Sequence, residues 1–138
     1  MSLFVLDCSV ALAWAFESEW TSATQLLLRR CAATGAVVPG HWPLEVANAL
    51  AVGERRGWLS AHDALRYIEL LESLPLEIDT DTATRALRET FALARTYGLS
   101  SYDAAYLELA ARRGLPLATQ DKLLLEAARQ AGTPVAGE

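Results

Sequence analysis

At 138 residues, with 52% apolar and 21% charged content, the chain is long enough for one ordinary core and too apolar to be disordered. Its net charge of −5 argues against broad electrostatic binding of nucleic acid, which rests on phosphate neutralisation. Only Cys8 and Cys31 are present, in no C-x-x-C spacing, so neither a disulfide framework nor a zinc site is indicated, and a reduced, cytoplasmic setting is expected.

The opening MSLFVLDCSV has no positive region ahead of its apolar stretch and does not read as a secretory signal. The longest apolar run, Val10 to Phe16, is far short of the ~20 residues that span a bilayer. No membrane association is expected. Residues 3–7 read as a short strand, and SVALAWAFESE after it as a helix that Ser9 caps. SATQLLLRRCAATG is a second helix, stopped at Gly35. AVVP is a brief buried strand closed by Pro39.

WPLEVANALAVGERRG carries Pro43 in the favoured first turn and Gly57 as a stop, with Leu44, Ala47 and Leu50 at helical spacing. SAHDALRYIELLESL follows as an amphipathic helix with Leu65, Ile68 and Leu71 or Leu74 on one stripe. PLEID reads as a third strand, and TDTATRALRETFALARTYG as one long helix. The last third gives a helix in SSYDAAYLELAARRG, a strand in LPLAT, a helix in QDKLLLEAARQAG and an edge strand in TPVA. Short apolar strands alternating with helices predict an α/β fold with a parallel sheet, because parallel strands need crossover connections. No linker or repeat divides the chain, so residues 1–138 are expected to form a single domain.

Asp7 and Asp121 each follow a predicted strand, the edge at which open parallel sheets bind ligands. Either is equally placed to cap a helix N-terminus. Asp103 completes an S-x-x-D capping pattern from Ser100, as Asp63 does from Ser60. The small, apolar helix behind Asp103 and its direct lead into the strand before Asp121 distinguish it from Asp63. Glu45 lies in the first turn of an apolar helix, either as a favourable first-turn charge or as a buried ligand that needs a cation. Asn48, one turn on, shares its face without an assigned role. Four such acids fit a hard cation, Mg²⁺ or Mn²⁺, that prefers oxygen and keeps several waters. Setting four acids aside as such a cluster would leave the rest of the chain close to neutral, so a local arginine patch is not excluded from binding a polyanion. His41 is expected to precede the helix as a surface residue, not paired with Glu45. The arginine pairs 29–30, 55–56 and 112–113 fall near helix ends, and the tryptophans read as core or interface.

With FVLDCSV, PLEVANAL, SSYDAAYLELA and LPLATQDKLL in this order, the chain resembles the PIN-domain family, and within it the VapC-type ribonuclease toxins of toxin–antitoxin pairs. The resemblance spans essentially the whole chain. It implies a three-layer α/β/α fold around a short-stranded central parallel sheet, with Asp7, Glu45, Asp103 and Asp121 as the metal-binding and catalytic acids. It further implies Ser9 and Thr119 as supporting hydroxyls, metal-dependent hydrolysis of RNA, a VapB-type antitoxin as partner and a homodimer. Cys8 stands where the family pattern suggests Ala or Thr.

Two other readings remain at this point: a metal-dependent phosphatase and a non-catalytic PIN-like binding module. A haloacid dehalogenase-like phosphatase needs a second aspartate two positions after the first, where this chain has Ser9. RNA cleavage by pure protein separates the enzyme from the binding module.

Overall fold

Four of the five expected strands form: β1 (Val5–Leu6), β2 (Ala36–Val38), β3 (Leu76–Ile78) and β4 (Leu117–Ala118). The structure is a computed structural model that describes residues 3–137. Met1, Ser2 and Glu138, the outermost residues of the expected 1–138 unit, lie outside the described residues. The strands make one parallel sheet in the order β3-β2-β1-β4, with Val5 opposite both Val37 and Leu117, and Leu6 opposite Ala118. The expected edge strand in TPVA is a single parallel bridge, Leu117 to Val135.

The helices are α1 (Cys8–Ala15), α2 (Ser22–Thr34), α3 (Trp42–Arg55), α4 (Ala61–Ser73), α5 (Thr82–Arg85), α6 (Phe91–Tyr97), α7 (Ser101–Arg113) and α8 (Lys122–Ala131). Right-handed crossovers from β1 to β2 to β3 carry α1–α4 over one face, and the return from β3 to β4 carries α5–α7 over the other. Packing follows that division, with α1 against α2 and α3, and α7 against α8. The result is a three-layer α/β/α fold in which the order of strand addition reverses at β1, with β2 and β3 on one side and β4 on the other.

The expected helix over 80–98 is broken into α5, a π-helical stretch (Ala86–Thr90) and α6. Helix α1 begins two residues earlier than Ser9 capping requires, with Asp7 in the N-cap position. On α3 the buried face is Trp42, Val46, Leu50 and Gly53, leaving Leu44 exposed. On α4 it is Ala64, Tyr67 and Leu71, leaving Leu65 and Ile68 exposed. Leucines alone misplace the stripe, because aromatic and small residues carry it: the Tyr67 hydroxyl donates to the Ala11 carbonyl of α1. Trp14 and Trp42 are buried, whereas Trp20 and Trp58 are exposed.

Helix α7 is buried from Ala104 through Ala110, as its small apolar sequence requires. The charge it buries, Glu108, is matched by Arg112 one turn on. Arg112 donates two bonds to Glu108 and two more to Asp79 at the end of β3, at 2.7–3.1 Å. Both carboxylates are buried, so the guanidinium neutralises charge that burial would otherwise make costly. Removing it in Arg112→Ala is expected to cost about 3–5 kcal/mol, read as a lowered urea midpoint.

Gly35 ends α2 with φ +87°, and a Cβ there would stand 2.5 Å from the Pro75 carbonyl oxygen. Both the backbone conformation and the close passage of Pro75, the residue just before β3, require glycine. Gly35→Ala is expected to destabilise by at least about 1–3 kcal/mol in equilibrium unfolding.

Candidate active site

The reversal between β1 and β4 opens a crevice beyond their carboxyl ends, the position at which open α/β sheets hold ligands. Asp7 leaves β1 into this crevice and is only 4% exposed. Although it occupies the N-cap position of α1, its side chain caps nothing. Instead, Ser9 Oγ and Thr119 Oγ1 donate to its Oδ2 at 2.7 and 2.6 Å. Each hydroxyl also accepts a backbone N–H from the turn after β4, Ser9 from Gln120 at 2.9 Å and Thr119 from Asp121 at 3.0 Å. Strand pairing thus places Thr119 beside Asp7, and the two hydroxyls fasten one turn to the other.

Asp121 caps α8, its Oδ1 accepting the Leu124 N–H at 3.0 Å. Ser100 likewise caps α7 through the Asp103 N–H at 3.1 Å, and Ser60 caps α4 through Asp63. Capping and clustering therefore coexist. The Asp103 carboxyl is half-buried and raised above its ordinary value, first by burial and then by the charges of Asp121 and Glu45.

Glu45 is held differently. Tyr106 donates its hydroxyl to Oε1 at 2.5 Å, and His41 Nε2 stands 3.1 Å from the same oxygen. Burial works to raise the Glu45 carboxyl, but His41 and Tyr106 together hold it below its ordinary value. His41 was expected to lie apart from Glu45. The helix starts at Trp42, and His41 as N-cap already has helical backbone angles, φ −89° and ψ −6°, so its ring reaches one turn along the axis. Tyr106 was not singled out in sequence. Its position three residues after Asp103, on the same face of α7, is the signal that would have found it. Asn48 is exposed and makes no side-chain hydrogen bond among the described residues.

Burial, followed by the charges of Asp103 and Glu45, outweighs the two hydroxyls and pushes Asp7 up to about 6. Cys8, beside it, is pushed up to about 12 by burial and by Glu45 and Asp7. The site is thus a set of mutually repelling carboxylates with hydroxyl, phenol and imidazole support. Among the described residues no three His, Cys, Asp or Glu side chains converge as a ready-made metal cage. The donor set still suits a hard cation, since Mg²⁺ commonly binds one or two carboxylates and keeps the rest of its shell as water.

The family of the PIN domain matches residues 4–130. The chain belongs to the PIN-domain family. Ribonuclease VapC3 of Pyrobaculum aerophilum is 38% identical to this PIN domain over 82 residues, 59% of this chain, and the match spans 63% of that relative's length. Among solved structures, PAE2754 from Pyrobaculum aerophilum has a TM-score of 0.68 at 25% identity, covering 91% of this chain and 85% of that one. FitAcB from Neisseria gonorrhoeae has a TM-score of 0.65 at 17% identity over 96% of each chain, a likeness of fold. Among the described residues, no helix of this PIN domain is long and apolar enough to cross a membrane.

The raised pKa of Asp7 has a defined sign in stability. The folded state holds this proton more tightly than the unfolded chain, so the contribution is full below pH ~4 and is lost as pH rises through about 6. Without divalent cations, Asp7→Asn is expected to gain stability relative to the parent between pH 4 and pH 7. The difference should approach roughly 3 kcal/mol at most, read from urea midpoints of both proteins across that range.

Proposed function

We propose that this PIN domain is a metal-dependent endoribonuclease of the VapC type, acting as the toxin of a toxin–antitoxin pair. The observation that carries the proposal is Asp7: a buried carboxylate that caps no helix, is oriented by two hydroxyls, and is repelled by Asp103 and Glu45. Such an arrangement is costly unless a cation is shared among the acids. Family membership and the ribonuclease named among the relatives supply the substrate class.

In this reading Asp7, Glu45, Asp103 and Asp121 hold Mg²⁺ or Mn²⁺. When bound, the ion lowers the pKa of a water and offsets charge developing on the phosphate. The chain's own residues do the rest. Ser9 and Thr119 commit Asp7 Oδ2, which leaves Oδ1 without a hydrogen bond among the described residues. Tyr106 and His41 keep Glu45 ionised and aimed. The proton acceptor for the attacking water is drawn from the same acids. Single-stranded or looped RNA suits the open crevice, since its bases and phosphates are both within reach.

A VapB-type antitoxin and a second copy of the chain are the proposed protein partners. Exposed apolar side chains, among them Trp58, Leu65, Leu87 and Leu123, leave surface for both. A cytoplasmic setting is proposed from the two free, buried cysteines.

Purified Asp7→Asn and Asp103→Asn are expected to keep the fold by circular dichroism and lose cleavage of single-stranded RNA. Thr119→Val should lose less, roughly the 10–100-fold typical of a residue that supports a ligand. Excess chelator should stop the parent enzyme and added Mn²⁺ should restore it. Full activity in either aspartate variant, or in excess chelator, would overturn the proposal.

A further inference from the structure

Beside the acids lies a cavity of about 460 Å³, between the start of α3, the turn after β3, the π-helical stretch and the first turn of α7. Its size falls within the range of small-molecule sites. Three alanines, Ala83, Ala86 and Ala105, together with Leu44 make apolar walls, and the small side chains are what leave the space. Ala86 and Thr90, four residues apart and so on one face of the π-helical stretch, both line the cavity.

The rings of His41 and Tyr102 stand at its mouth, 5.9 Å apart and tilted by 53°. Tyr102 is 66% exposed, so most of its ring is free of protein contact. His41 borders the cavity on one side and touches Glu45 on the other, and Tyr102 immediately precedes Asp103. Polar groups are sparse and specific. Thr90 is 2% exposed, and its hydroxyl makes no hydrogen bond among the described residues. Thr82 donates to Asp79 and accepts the Gly40 N–H. The one carboxylate in the wall, Asp79, is paired bidentately with Arg112, which lessens the repulsion it offers a polyanion.

We infer that this cavity receives one unstacked nucleobase of the RNA, next to the phosphodiester presented to the acids. The inference rests on the ribonuclease reading and adds to it a base-recognition site. Apolar walls and an exposed aromatic ring match the two faces of a base, and isolated hydroxyls match its polar edge. The position follows from His41 and Tyr102, which join the cavity to Glu45 and Asp103. Alanine replacement of a ring that stacks on one base costs about 1–3 kcal/mol, or roughly 5- to 150-fold.

The test is cleavage of a randomised single-stranded RNA pool with Mn²⁺, the cut ends being sequenced for the parent, Tyr102→Ala, Tyr102→Phe and Ala86→Leu. Thermal unfolding checks that each variant is folded. The parent should show a base preference at one position beside the cut. Tyr102→Ala, which removes the ring, and Ala86→Leu, which fills the cavity, should each flatten that preference by at least about 5-fold, while Tyr102→Phe keeps it. A parent that cuts without preference, or folded Tyr102→Ala and Ala86→Leu variants with the parent's preference intact, would overturn the inference and leave the nuclease reading standing. In the second case the cavity would belong to another occupant, such as a protein segment. A parent that cuts no RNA would overturn the nuclease reading itself, and the inference with it.

Discussion

The pairing of β1 with β4 joins parts of the chain that lie 112 residues apart and sets the position of everything at the crevice. Because the two strands are parallel and in register, their carboxyl ends stop level with each other, and the residues that leave them meet at once. Asp7 then has a hydroxyl from each turn against the same oxygen. The hold is shared: Ser9 is anchored across to the other turn by Gln120, and Thr119 within its own turn by Asp121. The acid is therefore a joint as well as a charge. The helices that bring Glu45 and Asp103 pack on opposite faces of the sheet, and they reach the same crevice because both start at its carboxyl edge.

Around that joint the carboxylates are treated unequally. Glu45 has a phenol and an imidazole on one oxygen and stays readily ionised. Asp7, with two hydroxyls but deeper burial, holds its proton toward neutral pH. Asp103 is raised by burial and then by the charges of Asp121 and Glu45, against the lowering by Ser100 and His41. Such a spread lets the cluster persist without a counter-charge: part of it can be neutral while the rest is charged. The network of Arg112, Asp79 and Glu108 solves the opposite problem, a charge cluster internally complete and therefore available only for structure.

Strand ends, acids and the burial of α7 were legible in the sequence because each leaves a local trace: a short apolar run that stops at an acid, or a helix too apolar to face water. The four acids sit where their strand and helix boundaries put them. The pairing of His41 with Glu45 was not legible, since it depends on the helical backbone angles that His41 adopts as N-cap, which the pattern of the helix itself does not reveal. The helical stripes on α3 and α4 were displaced for a related reason. Successive residues turn about 100°, so trusting leucines over Trp42, Gly53 and Tyr67 moves the face by a full position. The break between α5 and α6 and the Asp79–Arg112 contact arise from tertiary packing, to which no local pattern points.

Cys8 sits next to Asp7, yet its thiol is buried and near the charges of Glu45 and Asp7, so it keeps its proton. Thiol reactivity belongs to the thiolate. A residue that is chemically soft by nature is thus made inert here, filling volume as alanine would. The thiol is correspondingly slow to react with oxidants and alkylating agents, and the crevice offers thiophilic ions no anionic sulfur.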